Sequence, residues 1–208
     1  MRIAVIGVGD FGNALARAFR TAGHTVVMSS RHASHAAKIA GELDVYAASS
    51  NQAAVENAEM VVLAVPATAV ASVLDEIAEF LDGIIVVDPT NPADRDAEAI
   101  LRSSASLAEA VVLLAPGARV VKAFNTVLAS RLNDPVISGI PLDGFYAGDD
   151  PPAKLVVANL LAEMGFRPID TGELLTARVL ELMAFLNIML DARGWPWRTG
   201  WKLLAPVG

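Results

Sequence analysis

Short apolar runs alternate with segments whose apolar residues recur at helical spacing, from the start of the chain almost to its end. Residues 2–6 read as a buried strand and 25–28 as a second, followed by 45–47, 60–65, 84–87, 119–124, 145–147 and 167–169. Between them, 13–22 carries Ala14, Leu15, Ala18 and Phe19 on one helical face, and 33–41, 52–57, 70–81, 107–114 and 151–164 are further predicted helices. Residues 174–191 form a long apolar helix at the end. This alternation predicts an α/β fold: a Rossmann-type doubly wound, mainly parallel sheet with helices on both faces and a small C-terminal helical part.

The chain has 208 residues, of which 54% are hydrophobic, enough for one α/β domain with a large core and a modest appendage. A net charge of −7 argues against nucleic acid or an anionic membrane as partner, while leaving room for a local basic site. With no cysteine and only His24, His32 and His35, neither a disulfide framework nor a zinc site is expected, and no metal is assigned. The longest apolar runs are broken by Pro66, Pro116, Glu181 and Asn187, and the N-terminus has no cleavage pattern; a cytoplasmic chain without a membrane span is expected.

Chemistry enters at the first strand–helix junction. Gly7, Val8, Gly9, Asp10, Phe11 and Gly12 have the G-x-G-x-x-G spacing, set directly after a strand and opening a helix, with a second strand beyond it. Gly7 serves the tight turn, Gly9 lets backbone approach a pyrophosphate, and Gly12 lets the helix pack on the strand. The helix N-terminus supplies free N–H groups and a favourable dipole for the anion. At the end of the second strand an NAD protein would place a carboxylate; here stand Ser29, Ser30 and Arg31, and no acid occurs before Glu42. A hydroxyl and a planar guanidinium suit a 2′-phosphate, so NADP is the expected cofactor, with His32 and Lys38 adding positive charge.

Other candidates lie at the carboxyl ends of later strands, where ligands bind in open α/β sheets. Val65 and Pro66 come after the fourth strand, and Asp88, Pro89, Thr90, Asn91 and Pro92 after the fifth. Phe124, Asn125 and Thr126 close the sixth; the Asn125 amide can donate and accept at a ring edge, and Phe124 can cover a ring or join the core. Neither Tyr46 nor Tyr146 has a lysine four residues on, which removes one familiar proton-donor pair. Lys122 is the remaining acid candidate, although strand alternation can turn it from the cleft. Glu181 and Arg178 read as an i,i+3 pair. Trp195, Trp197 and Trp201 gather in the tail, where they can close a pocket or anchor the tail to a partner.

Over nearly its whole length the sequence resembles the NADPH-dependent reductases of the 8-hydroxy-5-deazaflavin coenzyme F420, whose Rossmann module also occurs in a group of metalloreductases. The resemblance is carried by the opening Arg2 to Gly7, Ser30-Arg31, Val65-Pro66, Asp88 to Pro92, Val121 to Thr126, Gly148-Asp149-Asp150 and Ala153-Lys154. It continues through Gly165 to Gly172, Ala177 to Glu181 and Lys202-Leu203-Leu204. It implies direct hydride transfer between NADPH and a deazaflavin or flavin-like ring stacked face to face, in a cleft between the nucleotide domain and the C-terminal part. The expected organisation is an NADP-binding Rossmann domain, 1–140, and a small α/β extension, 141–208, that completes the acceptor cleft. The residues expected on the cofactor are Gly7, Gly9, Asp10, Phe11, Gly12, Ser29, Ser30, Arg31, Lys38, Val65, Pro66 and Asn91. Pro66, Asn91, Phe124 and Asn125 would set ring geometry with no essential acid or base, because hydride transfer needs positioning above all. The alternatives left open are a small-substrate NADP dehydrogenase using Lys122 as its acid and a non-catalytic NADPH sensor. Leu174, Val179, Leu180, Leu182, Met183, Leu186, Ile188, Met189 and Leu190 give the last helix more apolar surface than one face buries, which predicts a homodimer.

Overall fold

The computed structural model describes residues 1–92 and 105–204. Its centre is an eight-stranded sheet in the order β10-β9-β6-β5-β4-β1-β2-β3. β1 (Arg2–Ile6) pairs in parallel with both β2 (Thr25–Ser29) and β4 (Met60–Leu63), and β3 (Tyr46–Ala47) extends the edge beyond β2. β5 (Ile85–Asp88) and β6 (Arg119–Ala123) continue the parallel series. The direction then reverses: β9 (Asp143–Gly148) is antiparallel to β6, and β10 (Arg167–Asp170) is parallel to β9. The cause is the connection. No crossover helix separates β6 from β9, so the chain returns beside the strand it left, whereas α6 (Pro151–Glu163) spans β9 to β10 and keeps that pair parallel.

Alternation along each strand sends residues to two separate cores. Ile3 and Val5, Val26 and Met28, and Val121 and Ala123 face α1 (Asp10–Thr21) and α6, around Leu15, Phe19, Val157 and Leu160. Ala4, Ile6, Val61, Leu63, Val86 and Val120 face the other way, onto Val70, Val73, Leu74 and Ile77 of α4 (Ala67–Ile77) and Val111 of α5 (Leu107–Leu114). Both faces are therefore covered, which is why these strands read as unbroken apolar runs. α2 (Ala33–Leu43) packs on β2 and β3, and α3 (Asn51–Val55) on β1 and β2. The last helix, α7 (Ala177–Ala192), is preceded by a 3₁₀ turn at Leu174–Thr176, so the helix predicted from 174 starts three residues later. Leu180 of α7 packs with Phe145 and Ala147 of β9.

Two features go beyond the elements that hydrophobic patterning predicts. Val136–Ile137 and Ile140–Pro141 (β7, β8) form a hairpin, with Ser138 at φ 52° and Gly139 at φ 79° in the two-residue loop. Positive φ at both central residues is the turn that matches strand twist. The boundary expected at 140 falls inside this hairpin, and the large sheet continues across it into β9 and β10. The tail is also tied down. Asp143 of β9 accepts from Arg167 at 2.7 Å and Lys202 at 3.1 Å, and from the Leu203 amide at 2.5 Å. Burial pushes the Asp143 carboxyl up, but these donors outweigh it and hold the group below its ordinary range.

No helix among the described residues is long and apolar enough to cross a membrane. No group of three or more metal-binding side chains occurs among them either.

Candidate active site

At the junction of β1 and α1, Gly7 and Gly12 leave no room for a side chain. Gly7 sits at φ +120°, and a Cβ there would lie 2.1 Å from the Ala64 carbonyl oxygen. A Cβ on Gly12 would lie 2.3 Å from the Gly7 carbonyl oxygen, so this glycine lets α1 press onto the turn. Gly9 differs: it caps the N-terminus of α1, and a Cβ on it would meet nothing within 4 Å. The space in front of Gly9 belongs to a trough along the carboxyl ends of the strands, with two chambers that meet at Gly9, Ala64, Val65 and Pro66.

One chamber, of about 540 Å³, is lined by Gly7, Ser30, Arg31, His32, His35 and Glu76 among others. Arg31 is exposed and pairs with no carboxylate among the described residues. Ser30 sits beside it, its hydroxyl donating to the His32 carbonyl at 2.8 Å. Ser29 does not join them. Its side chain is buried and donates to Asn51 Oδ1 at 2.8 Å, and Asn51 in turn donates to Glu76 at 2.8 Å. The last residue of β2 thus faces the core while Ser30 and Arg31, past the strand, face the chamber. Lys38 also lies apart, a full turn along α2, with Nζ 4.0 Å from Glu42; the chamber receives His35 in its place.

The other chamber, of about 400 Å³, is lined by Asp10, Phe11, Pro66, Asn91, Asn125 and Asn187 among others. Asn91 and Asn125 brace one another across two loops: Asn91 Nδ2 donates to the Asn125 carbonyl at 2.9 Å and Asn125 Nδ2 to Asn91 Oδ1 at 3.0 Å. Asn125 Oδ1 and Thr126 Oγ1 are left buried without a partner. Such atoms are costly unless something supplies a donor. Phe124 is fully buried and lies edge-on to Phe19, ring centroids 5.9 Å apart, so it is a core residue and not a ring cover. Its backbone, at φ 64°, makes the turn that brings Asn125 to the chamber.

Beneath the Asn91 loop lies a buried ion cluster. Lys122 and Asp88 are cross-strand partners on β6 and β5, and Lys122 Nζ donates to Asp88 Oδ2 at 2.9 Å, Thr90 O at 2.6 Å and Glu181 Oε1 at 2.7 Å. All three ammonium protons are thereby used. Asp88 Oδ1 accepts from both the amide and the hydroxyl of Thr90, at 2.9 and 2.6 Å. Burial pushes the Glu181 carboxyl up, opposed by Lys122. The pairing expected between Glu181 and Arg178 is corrected: Glu181 turns inward to Lys122 and to the Leu107 amide at 2.9 Å. Arg178 instead holds Glu109 through two bonds of 2.8 and 2.7 Å, which bring the Glu109 carboxyl down to about 2. None of the three tryptophans lines the trough; Trp195 and Trp197 are exposed, and Trp201 packs beside Phe145 and Leu180.

Fold and trough together define the class: a Rossmann-type α/β protein with a two-chambered, glycine-walled trough at the carboxyl ends of its strands. Comparison with known proteins narrows this. The family described as NADP oxidoreductase, coenzyme F420-dependent, matches residues 2–92. The F420-dependent NADP reductase of Methanothermobacter thermautotrophicus is 34% identical over 210 residues, covering 93% of this chain and 90% of that protein. Metalloreductase STEAP3 of Rattus norvegicus is 33% identical over 184 residues, 86% of this chain, and the chain spans 36% of that longer protein. A crystal structure of an Arthrobacter sp. FB24 protein, provisionally described as an F420-dependent NADP reductase, superposes with a TM-score of 0.88 at 31% identity, covering 99% of this chain and all of the other. The chain belongs to the family of F420-dependent NADP reductases.

Proposed function

We propose that this protein is an NADP-dependent oxidoreductase that transfers hydride between NADPH and a deazaflavin of the F420 type. The observation that carries the reading is the meeting of the two chambers at Gly9 and Pro66: one has a dinucleotide's polar landmarks, and the other is a second, ring-sized space beyond it. The family membership and the names of its relatives support the acceptor class. Gly7, Gly9 and the first turn of α1 would hold the pyrophosphate, and Ser30 and Arg31 the 2′-phosphate. Pro66, Asn91 and Asn125 would set the nicotinamide, with the unpartnered Asn125 Oδ1 accepting from its carboxamide. When bound, NADPH supplies the hydride; the chain supplies position and a dry wall, and no side chain in the second chamber is assigned to move a proton. Residues 141–208 would complete that chamber through α7. NADPH oxidation by a panel of oxidised deazaflavin, FMN, FAD and ferric chelates tests the reading, with deazaflavin expected to be reduced and silence across the panel refuting it.

Cofactor choice would rest on Arg31. A hydrogen bond to a charged group contributes about 1.5–3 kcal/mol, so Arg31→Ala should weaken NADPH about 10- to 150-fold and leave NADH nearly unchanged in fluorescence titrations. Equal weakening of both nucleotides would remove the assignment. A cytoplasmic location goes with this reading, since NADPH is a cytoplasmic reductant.

The reading includes a homodimer through α7. Leu174 and Leu180 are buried within the chain, which narrows the free face, but Val179 and Leu186 stay exposed on α7, with Trp195 and Trp197 just beyond it. A dimer mass in light scattering at micromolar concentration is expected, and a monomer would dismiss it.

A further inference from the structure

One turn apart on α7, Asn187 and Asp191 are both buried, at 5% and 2% exposure, and the tail lays a single hydroxyl against them. Thr199 Oγ1 lies 2.9 Å from the Asn187 amide oxygen, Oδ1, and 3.0 and 3.1 Å from the two Asp191 carboxylate oxygens. The tail is held in place to do this: Ser130 donates to the Trp197 carbonyl at 2.8 Å and Arg131 to the Arg198 carbonyl at 2.5 Å. A hydroxyl has one proton to give and lone pairs to receive. The hydroxyl approaches both carboxylate oxygens evenly and gives its proton to them. Asp191 has no other side-chain donor among the described residues, so giving the proton to Asn187 would strand a buried carboxylate. Once that proton is given to Asp191, Asn187 Oδ1 faces a lone pair on Thr199, acceptor against acceptor; turning the amide end for end, which exchanges two groups of equal size, puts its nitrogen there as a donor. The asparagine carbonyl oxygen is then the atom turned away from Thr199, and Asn187 lines the second chamber beside Ala184 and Ile188.

We infer that Asn187 presents a hydrogen-bond acceptor to the second chamber and selects a ring that carries an imide N–H, as the pyrimidine edge of a deazaflavin or flavin does. Thr199 is a positioning residue, fixing which end of the amide faces the ring. This rests on the hydride-acceptor reading of the chamber and assigns it a specificity residue on α7.

The test measures ring binding separately from turnover. 8-Hydroxy-5-deazariboflavin and its N3-methyl derivative are titrated by fluorescence onto the intact protein with NADP⁺ bound. The wild type should bind the N3–H ring about tenfold or more tightly than the methylated one, the scale on which a site built for an N–H rejects an analogue lacking it. In Asn187→Leu, which is close in size, the two affinities should come within about twofold, the loss falling on the N3–H ring and NADP⁺ affinity staying unchanged. Thr199→Val should behave like Asn187→Leu, and Thr199→Ser should keep the wild-type preference. Equal affinities in the wild type, or a preference that survives in Asn187→Leu, would overturn the inference; the wild-type comparison stands even if a variant fails to fold. Binding with the expected preference but no NADPH oxidation would overturn the hydride-transfer reading alone, and no binding of either ring would overturn both.

Discussion

Lys122→Ala is expected to lower the stability of the fold by about 3–5 kcal/mol, the cost of removing one partner from a buried ion cluster. The lysine is fully buried, with all three protons committed, and its loss leaves Asp88 and Glu181 as unpaired carboxylates in the same apolar surroundings. For a chain of this size that corresponds to a fall in Tm of roughly 6–20 °C in thermal unfolding. The sign of the pH dependence comes from Glu181, whose carboxyl is already raised by burial and rises further without its cation. A folded state that holds protons more tightly than the unfolded one loses stability as pH increases, so the deficit should be larger near about pH 8 than near about pH 5. Hydride transfer, measured well below the variant's Tm, should stay within about tenfold of wild type, because a general acid supplies 100-fold or more. Asp88 still ties down Thr90, and Asn91 still braces Asn125. A normal Tm would refute the structural role, and a loss of turnover above about 100-fold in folded protein would restore the Lys122-dependent dehydrogenase.

The legible part of this chain is the local part. Gly7, Gly9 and Gly12 sit between a strand and a helix, where a Cβ on Gly7 or Gly12 would clash with backbone and the space in front of Gly9 is open. Ser30 and Arg31 are readable for the same reason, since the end of β2 determines where the next two residues point. Lys38 is misplaced by sequence reasoning because proximity to Arg31 along the chain is not proximity in space: α2 carries it away and turns His35 toward the chamber. Lys122 and Glu181 are 59 residues apart, and only the packing of α7 against β9 and α5 makes them partners. The i,i+3 spacing of Arg178 and Glu181 suggests a pair, but an unpaired buried lysine is the stronger demand. The reversed β9 reflects the missing crossover helix between 124 and 143, and the Ser138-Gly139 dipeptide is an available signal for the hairpin. Asn187 and Asp191 stand out as polar positions in an apolar helix, but nothing in the local pattern indicates that the tail returns Thr199 to them.

Asn125→Ala should reduce single-turnover hydride transfer from NADPH to oxidised deazaflavin by about 100-fold, the penalty for a displacement near 1 Å in a reaction that needs the reacting carbons about 3–3.5 Å apart. The side chain removed is half of the brace that ties the loop after β5 to the loop after β6, and it also carries the unpartnered Oδ1. Asn91 keeps one bond, to the backbone of residue 125, and loses the other, so the loop is retained but can tilt. The nucleotide's phosphates would be held elsewhere, at Gly9 and Arg31, and NADPH affinity should therefore change by no more than about threefold, less than a typical charge-assisted contact supplies. A bulky replacement at Pro66, where the two chambers meet, should give the same signature from the opposite wall, slowing transfer more than it weakens binding. The decisive quantity is the ratio of the two losses. If affinity falls as far as the rate, Asn125 binds ground and transition states alike, and the placement of the ring at this end of the trough is wrong.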